Sequence, residues 1–290
     1  MIRKKRVLKE HNKVAEICDA LIDKYDQGRI SHFPVNPKKE FADERIIWQY
    51  WGQGFGNAPE MVQICLKSVE RYKGNYKLVR LTDENLSEYI DLPKEIQHKR
   101  SSFMTSHFSD LLRCALLTTY GGIWLDATLL LTGSLPEQYF TQDFFMFQRD
   151  SNEPLKKCWE NNFTEYWGWA DEFKVKVLNS LIYSKRGGKV ITYMCDILYD
   201  LWVMNDNVPH YFFWQILFNE LMAKHPELNC PVVSDCLPHY AAQTILDNFL
   251  SISFEDALKL STIHKTSYKM KSSDIVKLKT LLKGTTGISY

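Results

Sequence analysis

Residues 106–133 read SHFSDLLRCALLTTYGGIWLDATLLLTG, and they pass from a helical pattern into an extended one across a pair of glycines. Phe108, Leu111, Leu112, Ala115 and Leu116 recur at the spacing of one helix face. Gly121 and Gly122 supply the backbone freedom that lets a helix stop and the chain turn back. The apolar run that follows has the pattern of a buried strand, interrupted by a single aspartate, Asp126. Burying a lone carboxylate is costly, so its position asks for a reason.

The neighbouring segments supply one. Upstream, RIIWQYWG (45–52) is rich in branched and aromatic residues and runs into glycine, as a strand does. In APEMVQICLKSVERYKG (58–74), Met61, Ile64, Cys65, Val69 and Tyr72 share a face between Pro59 and Gly74, which predicts a helix. YKLVRLT (76–82) reads as a second strand, and DENLSEYI (83–90) as a short helix capped by Thr82. This alternation predicts an α/β fold with a mostly parallel sheet and crossover helices. Ligands of such sheets bind beyond the carboxyl ends of the strands, where strand order reverses. Asp126 follows the strand IWL, so it is expected at the mouth of that crevice. Asp110 and Arg113, three residues apart, share a helical face and can point to the same place. An exposed pair at that spacing would contribute only about 0.2–0.5 kcal/mol. The combination with GG-x-W-x-D raises the functional reading.

Composition narrows the function classes. A chain of 290 residues with 45% hydrophobic and 24% charged residues has enough apolar material for a large core. A net charge of +1 argues against the broad basic surface that duplex binding needs, so no nucleic-acid partner is expected. Seven scattered cysteines without a CxxC pair read as reduced, mostly buried thiols, which points to the cytoplasm. The basic start MIRKKRVLKEHNK is followed by neither a secretory apolar stretch nor a spanning segment. Val7, Val14, Ile17, Cys18, Leu21, Ile22 and Tyr25 predict an amphipathic helix in an N-terminal helical segment, 1–40, ahead of the main domain at 41–290. Its Arg3, Lys4, Lys5, Arg6 and Lys9 suit peripheral contact with the anionic inner face of the cell membrane. Residues 189–206 and 210–225 carry two further apolar helical patterns, expected to pack in the core or to shape an acceptor groove.

IIWQYW (46–51), HFSDLLRCALLTTYGGIWLDAT (107–128) and IHKTSYK (263–269) together resemble the capsular polysaccharide synthesis proteins related to glycosyltransferase family 32. More distantly they resemble the glucosyltransferase domains of large clostridial toxins. The resemblance runs from Arg45 to Lys269 and is most specific between Ser106 and Thr128. It implies a GT-A type, Rossmann-like nucleotide-sugar-binding fold with additional helices. It implies a retaining hexosyltransferase of bacterial capsular or exopolysaccharide biosynthesis, with a UDP-sugar donor and a glycan acceptor that is lipid-linked. Carried over residue by residue, Trp48 stacks on the uracil ring, leaving Trp51 as a core tryptophan. Asp110 and Arg113 hold the sugar and ribose of the donor, Trp124 lies beside it, and Asp126 is the first aspartate of the DxD motif. Asn179 is a sugar contact, and His264, Lys265 and Lys269 belong to a tail closing over the donor phosphates.

The second aspartate of DxD is here Thr128, a weaker, neutral ligand for a hard cation. A divalent cation, Mn²⁺ or Mg²⁺, held by Asp126 is therefore in question. A lysine in IHKTSYK, with Lys269 the first candidate, can replace part of its charge as a point-charge phosphate binder. His210 stands where many capsule relatives carry aspartate. No second carboxylate stands out as a nucleophile, which favours acceptor attack on the face the diphosphate leaves. Two other readings stay open: a nucleotide-sugar-binding protein that has lost its chemistry, and a nucleotidyltransferase. The latter lacks a basic residue after WGQGFGN (51–57) for a phosphate loop.

Overall fold

The computed structural model describes residues 2–33, 35–43, 45–247 and 249–290. In chain order the elements are α1 (Ile2–Asp26), β1 (Ile46–Tyr50), α2 (Glu60–Tyr72), β2 (Lys77–Leu81), α3 (Lys94–Lys99) and α4 (Thr105–Tyr120). Then come β3 (Gly122–Leu125), β4 (Leu129–Leu131), β5 (Phe144–Gln148), α5 (Lys156–Asn162), β6 (Val177–Ser184) and α6 (Lys189–Met204). The chain closes with α7 (Phe213–Lys224), α8 (Tyr240–Leu246), α9 (Phe254–Leu260), β7 (Ile263–Lys265) and α10 (Ser272–Thr286).

The main sheet has the order β2-β1-β3-β6-β5. β1 pairs in parallel with β2 and β3, whereas β6 runs antiparallel to both β3 and β5. Four strands therefore point one way and β6 alone reverses, in agreement with the expected mostly parallel α/β sheet. β1 and β3 are buried at every position, as strands covered on both faces must be. The pleat divides them. Ile46, Trp48, Tyr50 and Trp124 join one apolar cluster with α4, α6 and α7, and Ile47, Ile123 and Leu125 join another with β4 and Ile263 of β7. Gly121 and Gly122, at φ 71° and 98°, turn the chain from α4 straight back into β3. A side chain there would be held in a conformation that only glycine adopts freely.

Two sequence expectations change. The apolar run 120–133 is two strands, because Leu129 N donates to the Asp126 carbonyl at 2.9 Å and closes a turn between them. β3 stays in the main sheet and β4 pairs antiparallel with β7. DENLSEYI forms only a 3₁₀ turn, Leu86–Glu88. There Asn85 accepts from Thr82 N at 2.8 Å and donates to the Arg80 carbonyl at 3.1 Å, which ties the segment to the strand end. The N-terminal helix α1 packs on the rest of the chain, as its amphipathic pattern predicts. Val7, Val14, Cys18 and Ile22 of α1 are buried in the same cluster as α7, against which α1 packs. With most of its apolar stripe covered, α1 can offer a membrane little beyond its charged face and Ile17. On that face Arg3 and Lys4 already pair with Glu165 and Glu160. Among the described residues no helix is long and apolar enough to cross a membrane.

Candidate functional site

A cleft of about 1080 Å³ opens beyond the carboxyl ends of β1 and β3. The sheet grows outward from these strands in opposite directions, to β2 on one side and β6 on the other. This is the reversal at which such folds bind ligands. Each wall has a sequence origin. The loop after β1 brings Trp51, the inward face of α4 brings Asp110 and Arg113, and the turn between β3 and β4 brings Asp126 and Thr128. The middle of β6 brings Asn179, and the end of β7 brings Lys265 with Tyr268 and Lys269 just beyond it.

Asp126 is fixed by its backbone and met by three donors. Its amide N–H donates to the Ser180 carbonyl at 2.8 Å, and Trp124 Nε1 donates to its Oδ1 at 2.8 Å. Arg113 Nη2 lies 3.4 Å from Oδ1, and Lys265 Nζ lies 3.4 Å from Oδ2. Burial acts to raise its pKa, but the two cations and the Trp124 bond outweigh it and hold the carboxyl below its usual value. Asp126 is thus an anion between two cations, which explains an aspartate after an apolar strand.

Arg113 continues the network. Its Nη1 lies 2.9 Å from Asp110 Oδ1 and donates to the Asn179 carbonyl at 3.1 Å, and its guanidinium lies 5.1 Å from the Trp124 ring centroid. Asn179 Nδ2 donates to Asp110 Oδ1 at 3.0 Å and accepts at its own Oδ1 from Gln215 Nε2 at 3.1 Å. The Asp110 and Arg113 side chains are only 11% and 6% exposed, so they are no solvated surface pair. Burial pushes the Asp110 carboxyl up to about 7, with Arg113 opposing and the Asp126 charge adding to the rise.

The structure gathers Asp110, Arg113, Trp124, Asp126, Asn179, Lys265 and Lys269 around one cleft. It moves two expected members elsewhere. Trp48 is fully buried, its indole N–H donating to the Gly121 carbonyl at 2.9 Å, with Phe41, Tyr89 and Tyr120 packed around it. The strand ends at Tyr50, so Trp51 is the tryptophan that passes the carboxyl edge and faces the cleft, 5.9 Å from the Tyr268 ring. His264 points away from Lys265 because neighbours on a strand face opposite sides. It is buried against the Thr132 hydroxyl at 2.8 Å, and burial pushes its pKa down to about 3.

Sequence reasoning also passed over Tyr211, His239 and Tyr268, which line the cleft from three distant segments. No local pattern marks residues that only tertiary packing brings to a site. Tyr211 and Tyr268, with Phe163 and Met104, leave large apolar surfaces exposed at its rim. His239 Nδ1 donates to the Asp235 carbonyl at 2.8 Å, and burial pushes its pKa down to about 4. His210 is also in the cleft wall, its Nδ1 accepting from Phe212 N at 3.0 Å.

The side chains do not suit a divalent cation at the DxD position. Among the described residues no group of three or more His, Cys, Asp or Glu side chains is arranged to hold one. The Asp126–Thr128 turn offers one carboxylate and one neutral hydroxyl, and the Lys265 ammonium stands against both. A hard cation wants several anionic or carbonyl oxygens and no cationic neighbour.

Known proteins give the site a context. The chain is 27% identical over 239 residues to the O-glycosyltransferase braB of Annulohypoxylon truncatum, covering 76% of this chain and 52% of that protein. It is 28% identical over 184 residues to the glycosyltransferase afumC of Aspergillus fumigatus, covering 56% of this chain and 41% of the relative. The chain thus spans about half or less of the length of these curated fungal relatives. Among solved structures, the PaToxG glycosyltransferase aligns over 100% of this chain and 99% of its own, with 13% identity and a TM-score of 0.42. A model of the capsular polysaccharide synthesis protein family matches residues 1–284, nearly the whole of the sequence, and the chain belongs to that family.

Proposed function

We propose that the chain is a retaining glycosyltransferase of GT-A type that takes a UDP-sugar as donor and a glycan as acceptor. The observation that carries this reading is the anion Asp126 held between Arg113 and Lys265 at the carboxyl edge of β3. Sugar transfer develops negative charge on the leaving diphosphate and positive charge at the anomeric carbon. A site with two cations flanking one carboxylate answers both. In the proposed step the acceptor oxygen bonds to the anomeric carbon as the bond to the diphosphate oxygen breaks. The electron pair leaves on the diphosphate, and the acceptor's proton passes to the departing phosphate oxygen on the same face.

Asp126 faces the sugar, Arg113 meets the donor, and Asp110 with Asn179 fixes the Arg113 guanidinium. Trp51 takes the uracil-stacking role, worth roughly 1–3 kcal/mol by analogy with base stacking. The exposed rings of Phe163, Tyr211 and Tyr268 at the rim suit the apolar faces of acceptor sugars. Lys5, Lys9 and Lys13 on the open face of α1 suit the anionic headgroups around a lipid-linked acceptor. Capsular or exopolysaccharide assembly is the setting that the family name suggests.

A panel of UDP-, GDP- and dTDP-sugars, scored for binding and slow hydrolysis, tests the reading. One UDP-sugar is expected to bind and turn over, and Asp126→Asn to lower turnover by roughly 10² or more while the fold is kept. Pyrophosphate release from a nucleoside triphosphate and a sugar phosphate would identify a nucleotidyltransferase instead. Unchanged turnover in Asp126→Asn would reject the role of the carboxylate.

A further inference from the structure

We propose that Lys265 is the site's built-in counter-ion for the donor diphosphate, placed where a DxD enzyme would seat its divalent cation, so that donor binding needs no metal. The inference rests on the nucleotide-sugar reading above and says which chemistry neutralises the phosphates.

The ammonium bridges the two ends of the DAT turn. Its Nζ is 2.8 Å from Thr128 Oγ1 and 3.4 Å from Asp126 Oδ2, the two residues that stand in the DxD positions. The backbone also fixes this placement. β7 pairs antiparallel with β4, and Lys265 sits opposite Leu129, the first residue after the turn. The following Thr266 locks the register by donating its amide at 3.1 Å and its hydroxyl at 2.7 Å to the Thr128 carbonyl. Behind it, Cys65 Sγ lies 3.4 Å from Thr266 Oγ1 in the buried interior. A lysine on a loop would cost side-chain entropy each time it met a phosphate. This one is already held, with about a quarter of its side chain open to the cleft.

Thr128 then has a role of its own. An aspartate there would pair with the ammonium and cancel its charge, whereas a hydroxyl accepts its hydrogen bond and leaves the positive charge for the ligand. The loss of the second carboxylate and the presence of the lysine are one substitution of chemistry. Asp126 remains shared between Lys265 and Arg113, so a divalent ion entering the turn would meet two fixed cations and one carboxylate. Lys269, one turn of chain further on and exposed beside the Tyr268 ring, lacks this anchoring.

Calorimetry of UDP and of the UDP-sugar found active, on the full chain in EDTA and then in Mn²⁺, tests the proposal. Mn²⁺ binding is followed in parallel by electron paramagnetic resonance. The wild-type protein is expected to bind the nucleotide sugar in EDTA with an affinity within about threefold of that in Mn²⁺. Lys265→Met is expected to weaken binding by on the order of tenfold or more in EDTA, with Lys265→Arg restoring most of it. Binding that appears only with Mn²⁺, or a Lys265→Met protein with wild-type affinity, overturns the proposal and leaves the donor site standing. Absence of nucleotide binding under every condition overturns it together with the donor reading. Should Lys265→Met fail to fold, the EDTA comparison on the wild type and Lys265→Arg decides alone.

Discussion

Asp110 sits 2.9 Å from Arg113, with the Asp126 charge beyond it and little water around. Burial wins over the arginine and leaves its carboxyl near pH 7, so it changes charge where enzymes work. Ionised, it holds the Arg113 guanidinium in place; protonated, it loosens that hold. Turnover is therefore expected to rise with pH through an inflection near 7 that Asp110→Asn abolishes, as a pH profile of kcat would record. The same raised pKa gives the folded chain a proton that the unfolded chain releases near 4. Its contribution to stability is complete below about 4 and is lost as pH rises through about 7. Trp51 and Trp48 offer a second contrast at this scale. Trp51→Ala is expected to weaken UDP binding by roughly 1–3 kcal/mol with little change in melting temperature. Trp48→Ala is expected to cost about 3–5 kcal/mol of stability through the cavity it leaves. Calorimetry and thermal melts on both variants separate a stacking platform from a core residue, and the reversed result would restore Trp48 to the site.

Elements carry these residues to one place because each meets the cleft. β1 and β3 stop there, α4 crosses it, and β6 passes alongside. The far wall depends on a different device. Arg149, just past β5, is buried with Asp235 at 2.9 Å, donates to the carbonyls of Tyr166 and Gly168, and is ringed by Tyr166, Trp167 and Trp169. One guanidinium thus staples the segment after α5 to the turn that leads to His239. Arg149→Leu leaves Asp235 buried without its partner, which costs about 3–5 kcal/mol. The melting temperature is expected to fall by roughly 5–8 °C for a chain of this size. Arg149→Leu/Asp235→Leu is expected to recover part of that loss, and a double variant no better than the single would deny the pair its role.

Over the whole molecule, the sequence was legible wherever local pattern and tertiary demand agree. α1, β1, α2, β2, α4, α6 and α7 follow from periodicity, and Asp126, Asp110, Arg113 and Lys265 from their motifs. β5 and β6 escaped because neither alternates: FFMFQ is buried throughout, and VLNSLIYS buries polar Ser180 and Ser184 along with its apolar residues. Trp48 is the core tryptophan and Trp51 the one facing the cleft because the strand's last residue decides which side chain clears the sheet, and that end is not written in composition. Lys265 rather than Lys269 holds the turn because its strand pairing with Leu129, 136 residues away in the chain, sets it there.

That long-range stitching bears on how the chain is made. α1 leaves the ribosome well before the helix against which its apolar stripe packs, α7, which begins only at Phe213. At about 5–20 residues per second, α1 waits roughly 10–40 s with Val7, Val14, Cys18 and Ile22 uncovered beside a row of lysines. β7 completes the cleft later still. The newborn chain is thus an exposed amphipathic helix trailing an unfinished sheet until the segment bearing α7 emerges.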